Sequence, residues 1–245
     1  MAAYGLFAAG TLVLVAFVVG LARASQSQLQ PTADGARLAG TDRVIGTAEL
    51  YLNVLLSQAI VVGLLVGIVW ASRVPRTALG IPLEGLIDWR VLGIGVALGV
   101  ALYLANEGGV LVLDHFGIGY SEDLRGALAP STLAGWVVLL VVVLPVIAGA
   151  EELLFRAALI GGFDAGFGIA PWVLVLGSSA LFALGHGMQG PGGVLVTGAL
   201  GVVLGAAFVV TGSLLLVIVA HYVVNALEFV IHEGLEVDPV GGRRS

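Results

Sequence analysis

The sequence is a succession of apolar stretches, each close to the 20 or so residues that a helix needs to cross a bilayer. They fall at about 4–21, 48–70, 90–113, 132–163, 169–188, 194–210 and 214–232, with short polar or glycine-rich segments between them. No two-residue alternation runs through them, so the pattern predicts helices rather than a membrane barrel. The expected fold is all-α: a polytopic helical bundle of about seven spans, residues 1–245 forming one multi-pass membrane domain. Composition agrees, because only 11% of residues are charged, against roughly a quarter in soluble domains. The first stretch lacks the basic leader of a signal peptide and is followed by further spans, so it reads as a helix. Segment 23–47 reads as a loop, Pro145 as a kink or break in an over-long fourth stretch, and Gly190 to Gly193 as the end of the fifth.

Several chemistries are excluded at once. The chain has no cysteine, hence neither disulfides nor thiolate nucleophiles or ligands. Its ten basic residues are all Arg and its net charge is −6, which excludes nucleic acid as a partner and leaves the lipid bilayer as the surroundings. Glycines four apart (Gly63 and Gly67, Gly95 and Gly99, Gly201 and Gly205) predict close helix contacts. Arginine placement predicts an outside amino terminus: Arg23, Arg37, Arg43, Arg125, Arg243 and Arg244 then face inward, against Arg73, Arg76 and Arg90.

Ionisable side chains within apolar spans are costly, so they mark function by default. Here they are Glu151, Glu152 and Arg156 on the fourth stretch, His186 on the fifth, and His221, Asn225, Glu228 and His232 on the seventh. Glu152 and Arg156, four apart, share a helix face and can pair. Glu151 points about 100° away and remains a free carboxylate suited to act as a base. The four polar residues of the seventh stretch form one stripe. Measured from the side where the fourth stretch ends, Glu151, His186, Asn225 and His221 lie about 20, 25, 17 and 11 Å deep, close to one level.

The run from Glu151 to Arg156 reads EExxxR, Phe182 to His186 reads FxxxH, and His221 to Asn225 reads HxxxN. This ordered set resembles the CAAX protease and bacteriocin-processing family, related to the type II CAAX prenyl endopeptidases. The resemblance covers 131–232, which would be the catalytic core, and implies an intramembrane endopeptidase. By that resemblance Glu151 and His186 would activate a water, His221 and Asn225 would stabilise the oxyanion, and Glu152 with Arg156 would support the site. It implies a peptide or protein substrate, prenylated in some members, and a multi-pass place in the cell membrane. No cofactor is expected; the alternative is zinc on Glu151, His186 and His221, although HExxH is absent. Two rival readings stand beside it: a proton-coupled transporter, which would spread polar residues over several depths, and a non-catalytic scaffold.

Overall fold

A computed structural model describes residues 2–32, 35–82 and 87–237, and, of residues 2, 3 and 27, the backbone alone. The chain is a bundle of membrane helices. Six are long and apolar enough to cross a bilayer: Tyr4–Gln26, Thr47–Ser72, Trp89–His115, Leu133–Phe167, Gly187–Thr211 and Leu214–Gly234. We label the helices α1 (Ala2–Gln28), α2 (Thr47–Ser72), α3 (Trp89–His115), α4 (Asp123–Leu128), α5 (Leu133–Phe167), α6 (Pro171–Gly185), α7 (Gly190–Thr211) and α8 (Leu214–Glu228).

The fifth of the seven expected spans is α6, and it is shorter than the sequence suggests. It stops at Gly185, at 15 residues and about 22 Å, because the next residues tighten into a 3-10 turn at Gly187–Gln189. The breaker run does not close α6. Gly190 and Pro191 instead open α7, where the missing proline N–H removes a donor that would have had no partner in any case.

Pro145 does not break the fourth stretch either. A π-helical turn, Leu139–Val143, directly precedes it and loosens the backbone where the proline ring would clash with a normal α turn. A second π segment, Leu153–Gly162, begins immediately after Glu152. The Ser178 hydroxyl donates to the Phe155 carbonyl within it (2.6 Å), tying α6 to α5 at this point.

The 23–47 segment is not a plain loop. Helix α1 continues to Gln28, and three short antiparallel strands follow: β1 (Leu29–Thr32), β2 (Gly35–Leu38) and β3 (Val44–Gly46), in the order β1-β2-β3. Pro31 sits on the edge strand β1, where a missing donor is tolerated. Ala36 and Ile45 bury against Leu50 and Ala127, which seats the sheet on α4.

Two of the three glycine pairs sit at helix contacts. A Cβ on Gly99 would come within 2.6 Å of Val223 Cβ and 2.7 Å of the Ala220 carbonyl, and Gly95 meets Val219 in the same way, so α3 and α8 pack backbone to backbone. Gly201 and Gly205 meet Ser179 and Val175 of α6. Gly63 and Gly67 face open space, so their spacing is not a packing seam. The main core joins Phe7 and Leu14 of α1, Leu65 of α2, Leu102 of α3, Leu154 to Ile160 of α5, Phe182 of α6, Leu204 of α7 and Val217 of α8.

The turns sort by side. Leu214 N–H donates to the Gly80 carbonyl at one end. At the other end Ser121 N–H donates to Gln189 O and Gly192 N–H to Gly119 O. This places segment 116–132, the sheet and the α6–α7 connection together, the arrangement the span count predicts. Arg243 and Arg244, on which part of the inside count rests, lie outside the described residues.

Candidate active site

The first polar group is built on α5. Glu152 is fully buried, and its Oε1 accepts from Arg156 Nη1 at 2.8 Å one helical turn on. The same oxygen accepts from His221 Nδ1 at 2.7 Å. Four-residue spacing pairs Glu152 with Arg156 alone; Glu152 in fact holds two donors from two helices. Bonding to a carboxylate puts the His221 proton on Nδ1 and turns Nε2 toward Glu151, 3.7 Å from its Oε2. Glu151 is the less buried of the two acids. Its Oε2, and the Oε2 of Glu152, are buried without a hydrogen-bond partner. A desolvated carboxylate oxygen with an unspent lone pair is a strong acceptor for a water proton.

His186 caps the end of α6, and its Nδ1–H donates to the Phe182 carbonyl at 2.8 Å. A carbonyl can only accept, so the neutral ring keeps its lone pair on Nε2. Phe182 is the hub of the site. The Arg156 guanidinium lies 4.6 Å from its ring centre, and the His186 and His221 rings lie 4.5 and 5.9 Å from it. In the sequence Phe182 stands only as a letter of a motif; its position one turn before His186 is the signal of its place in the site.

Glu151, His186, His221 and Asn225 all line one cavity of about 320 Å³, with apolar walls from Leu102, Val143, Ile147, Leu200 and Val224. The structure therefore brings three helices' candidate residues to one chamber. Glu152 and Arg156 stand behind its wall.

The stripe on α8 divides after Asn225. Glu228 accepts from Asn106 of α3 through Oε1 and from Arg125 Nη1 at 2.7 Å through Oε2. His232 Nε2 lies 3.0 Å from Glu107 of α3. Arg125, on α4, also binds Glu122 at 2.5 Å and Glu233 at 2.9 Å. Burial works against its charge, but the surrounding carboxylates of Glu122, Glu228 and Glu233 outweigh it and raise its pKa above the ordinary arginine value. Asn106, Glu107 and Arg125 were not among the sequence candidates. The signal lay in α3, the least hydrophobic of the six long spans, which carries Asn106 and Glu107 side by side.

This second group bears on metal. Among the described residues, the trio whose ligand atoms all lie within 4.8 Å of one another is Glu107, Glu228 and His232, not the Glu151, His186 and His221 that the sequence offers for zinc. At the Glu151 end, His221 binds Glu152 and His186 binds a backbone carbonyl, each through Nδ1, which leaves both Nε2 atoms outside these bonds. At the other end the Arg125 guanidinium already provides the cation for Glu228.

Residues 132–227 match the family described as type II CAAX prenyl endopeptidase Rce1-like, a stretch that contains all six residues of the EExxxR, FxxxH and HxxxN motifs assigned a role above. The match spans less than half of the 245 residues. Neither a curated protein nor a solved structure matches the chain.

Proposed function

We propose that this multi-pass membrane protein is an intramembrane endopeptidase, its core in 131–232, acting in the cell membrane. One observation carries the reading: the free carboxylate of Glu151, the lone pair of His186, and the polar groups of His221 and Asn225 line one cavity within a bundle of membrane helices. In this reading a water between Glu151 and His186 gives its proton to Glu151 and attacks a substrate carbonyl. His221 Nε2–H, when the ring is protonated, and the Asn225 amide donate to the oxyanion that forms. Glu152 fixes the tautomer and angle of His221, much as a buried carboxylate orients a catalytic histidine in a triad, and Arg156 balances its charge. Collapse of the tetrahedral intermediate breaks the C–N bond as Glu151 returns the proton to the leaving amine. The substrate is a peptide or protein segment, prenylated or not.

The apolar lining suits a hydrophobic peptide, and Glu151, His186, His221 and Asn225 line one chamber. The test uses purified chain in lipid nanodiscs with a pool of hydrophobic peptides read by mass spectrometry. The expected result is new termini with the wild type and none with Glu151→Gln, with activity surviving exhaustive chelation. Equal product from both proteins would sink the mechanism. One zinc per chain, with chelator inhibition reversed by zinc, would replace the metal-free chemistry and keep the peptidase.

A further inference from the structure

Gln58 is a polar residue deep in an apolar span, the twelfth of the 26 residues of α2. Its direction follows from helix geometry. Leu56 and Ile60, two residues to either side and so about 200° round the helix, are 54% and 57% exposed and form the lipid-facing side. Gln58 lies opposite them, on the side of the buried Val61 and Leu65, and lines the chamber that holds Glu151, His186, His221 and Asn225. Its level matches as well. The α2–α3 and α7–α8 connections share one side of the bundle, joined by the Leu214 N–H and the Gly80 carbonyl. From that side Gln58 lies about 21 Å along α2 from Ser72, and Asn225 about 17 Å along α8 from Leu214. The difference is about one residue of an extended peptide.

The hydrogen-bonding capacity of Gln58 is unspent. Among the described residues none bonds its side-chain amide, and its polar atoms are open rather than sealed by packing. The neighbouring Ser57 behaves differently, returning its hydroxyl to the Val54 carbonyl at 2.8 Å. A polar group without a partner is costly in a membrane span, so an apolar residue would serve packing better here. A carboxamide offers one acceptor and two donors. That is the complement of the peptide main chain, which presents one N–H and one C=O per residue.

We infer that Gln58 is a positioning residue for the substrate main chain. Its Oε1 accepts from a substrate N–H and its Nε2 donates to a substrate carbonyl, within about two residues of the scissile bond. Because every residue carries both groups, the contact holds the chain in register at Glu151 without selecting side chains. It gives α2, which lies outside the matched residues 132–227, a part in a site otherwise built on α5, α6 and α8. The inference rests on the chamber being the one that receives peptide.

The test is a backbone scan read by binding. Hydrophobic heptapeptides in which each amide in turn is replaced by an ester, which removes the N–H and weakens the carbonyl as an acceptor, are titrated onto Glu151→Gln protein in nanodiscs. The expected result is one ester, within about two residues of the bond that wild type cleaves, that binds about tenfold more weakly than the parent peptide, the scale of one net hydrogen bond. Adding Gln58→Met, apolar and close in size, should weaken the parent peptide about tenfold and abolish the further loss at that ester alone. A merely structural role for Gln58 would weaken every peptide alike. With Glu151 intact, Gln58→Met should raise KM about tenfold and leave kcat within a few fold. The same ester loss with and without Gln58, or an effect on kcat alone, would overturn the inference. Gln58-dependent, ester-sensitive binding without cleavage by wild type would instead remove the peptidase and keep the main-chain contact; cleavage without that dependence would do the reverse.

Discussion

The last span, Leu214–Gly234, carries two buried polar groups about three turns apart end to end, and they are built on opposite principles. Around His221 and Asn225, acceptors are left unspent: Oε2 of Glu151 and Oε2 of Glu152 are buried without partners. Around Glu228 and His232, carboxylates are bonded on both flanks, to Asn106, Arg125 and Glu107. Leaving a buried acceptor unmatched costs about 1–3 kcal/mol, so the first arrangement is poor engineering for stability. It is good engineering for chemistry, because a lone pair already committed within the protein is not available to a water. The comparison teaches that burial and polarity alone do not distinguish a reacting site from a structural clamp. The two groups differ in how much hydrogen-bonding capacity is left unspent.

That contrast can be broken by mutation. The largest effect expected is at Glu151: Glu151→Gln should remove measurable peptide cleavage while leaving thermal unfolding in detergent nearly unchanged, since an amide of the same shape can still bond. Next comes Asn225→Ala, with turnover down about a hundredfold or more and KM little altered, as for a lost oxyanion donor worth about 2.7–4 kcal/mol in the transition state. A KM effect of the same size would show that Asn225 binds ground-state substrate.

Arg156→Leu should lower unfolding free energy by about 3–5 kcal/mol and lower activity with it, because it strands Glu152 in a fully buried position. Unchanged melting would mean that His221 alone can carry that charge. On the clamp side the order of effects should invert. Glu107→Gln should cost about 1–3 kcal/mol of stability and leave kcat for neutral peptides within a few fold, through the weakened bond to His232. A hundredfold loss of kcat there would erase the distinction between the two groups. The smallest contrast separates the glycines: Gly99→Ala should destabilise measurably because of Val223, whereas Gly63→Ala, facing open space, should not.

The parts of the molecule that could be read from the sequence are those encoded locally. Long apolar runs gave the membrane helices, and four-residue spacing placed Glu152 beside Arg156 and His221 beside Asn225. What escaped was set by distant partners. Nothing local tells that His221 will meet Glu152, 69 residues away, or that Arg125, in a segment read as a connection, will be clamped by α8. Strands of three and four residues are too short for alternation to register, so the sheet between α1 and α2 passed for a loop. Gly63 and Gly67 carried the same spacing as Gly95 and Gly99, and only the neighbours across the gap tell them apart.

The π turns of α5 have a further consequence, for phase. A π turn packs one more residue into a turn than an α turn does, so every side chain beyond it is rotated relative to an uninterrupted helix. Helix α5 does this twice, at Leu139–Val143 and again from Leu153. A single helical wheel drawn through Leu133–Phe167 therefore assigns faces wrongly on one side of each break. Between the breaks, Leu144–Glu152 is the one stretch of ordinary α pitch, and Glu151 and Glu152 stand at its end. Deleting one residue from the first π turn would restore an even pitch while swinging the α5 amino-terminal half, with Trp136, around the fixed pair of glutamates. The angle between Trp136 and the two glutamates is thus set by the first π turn.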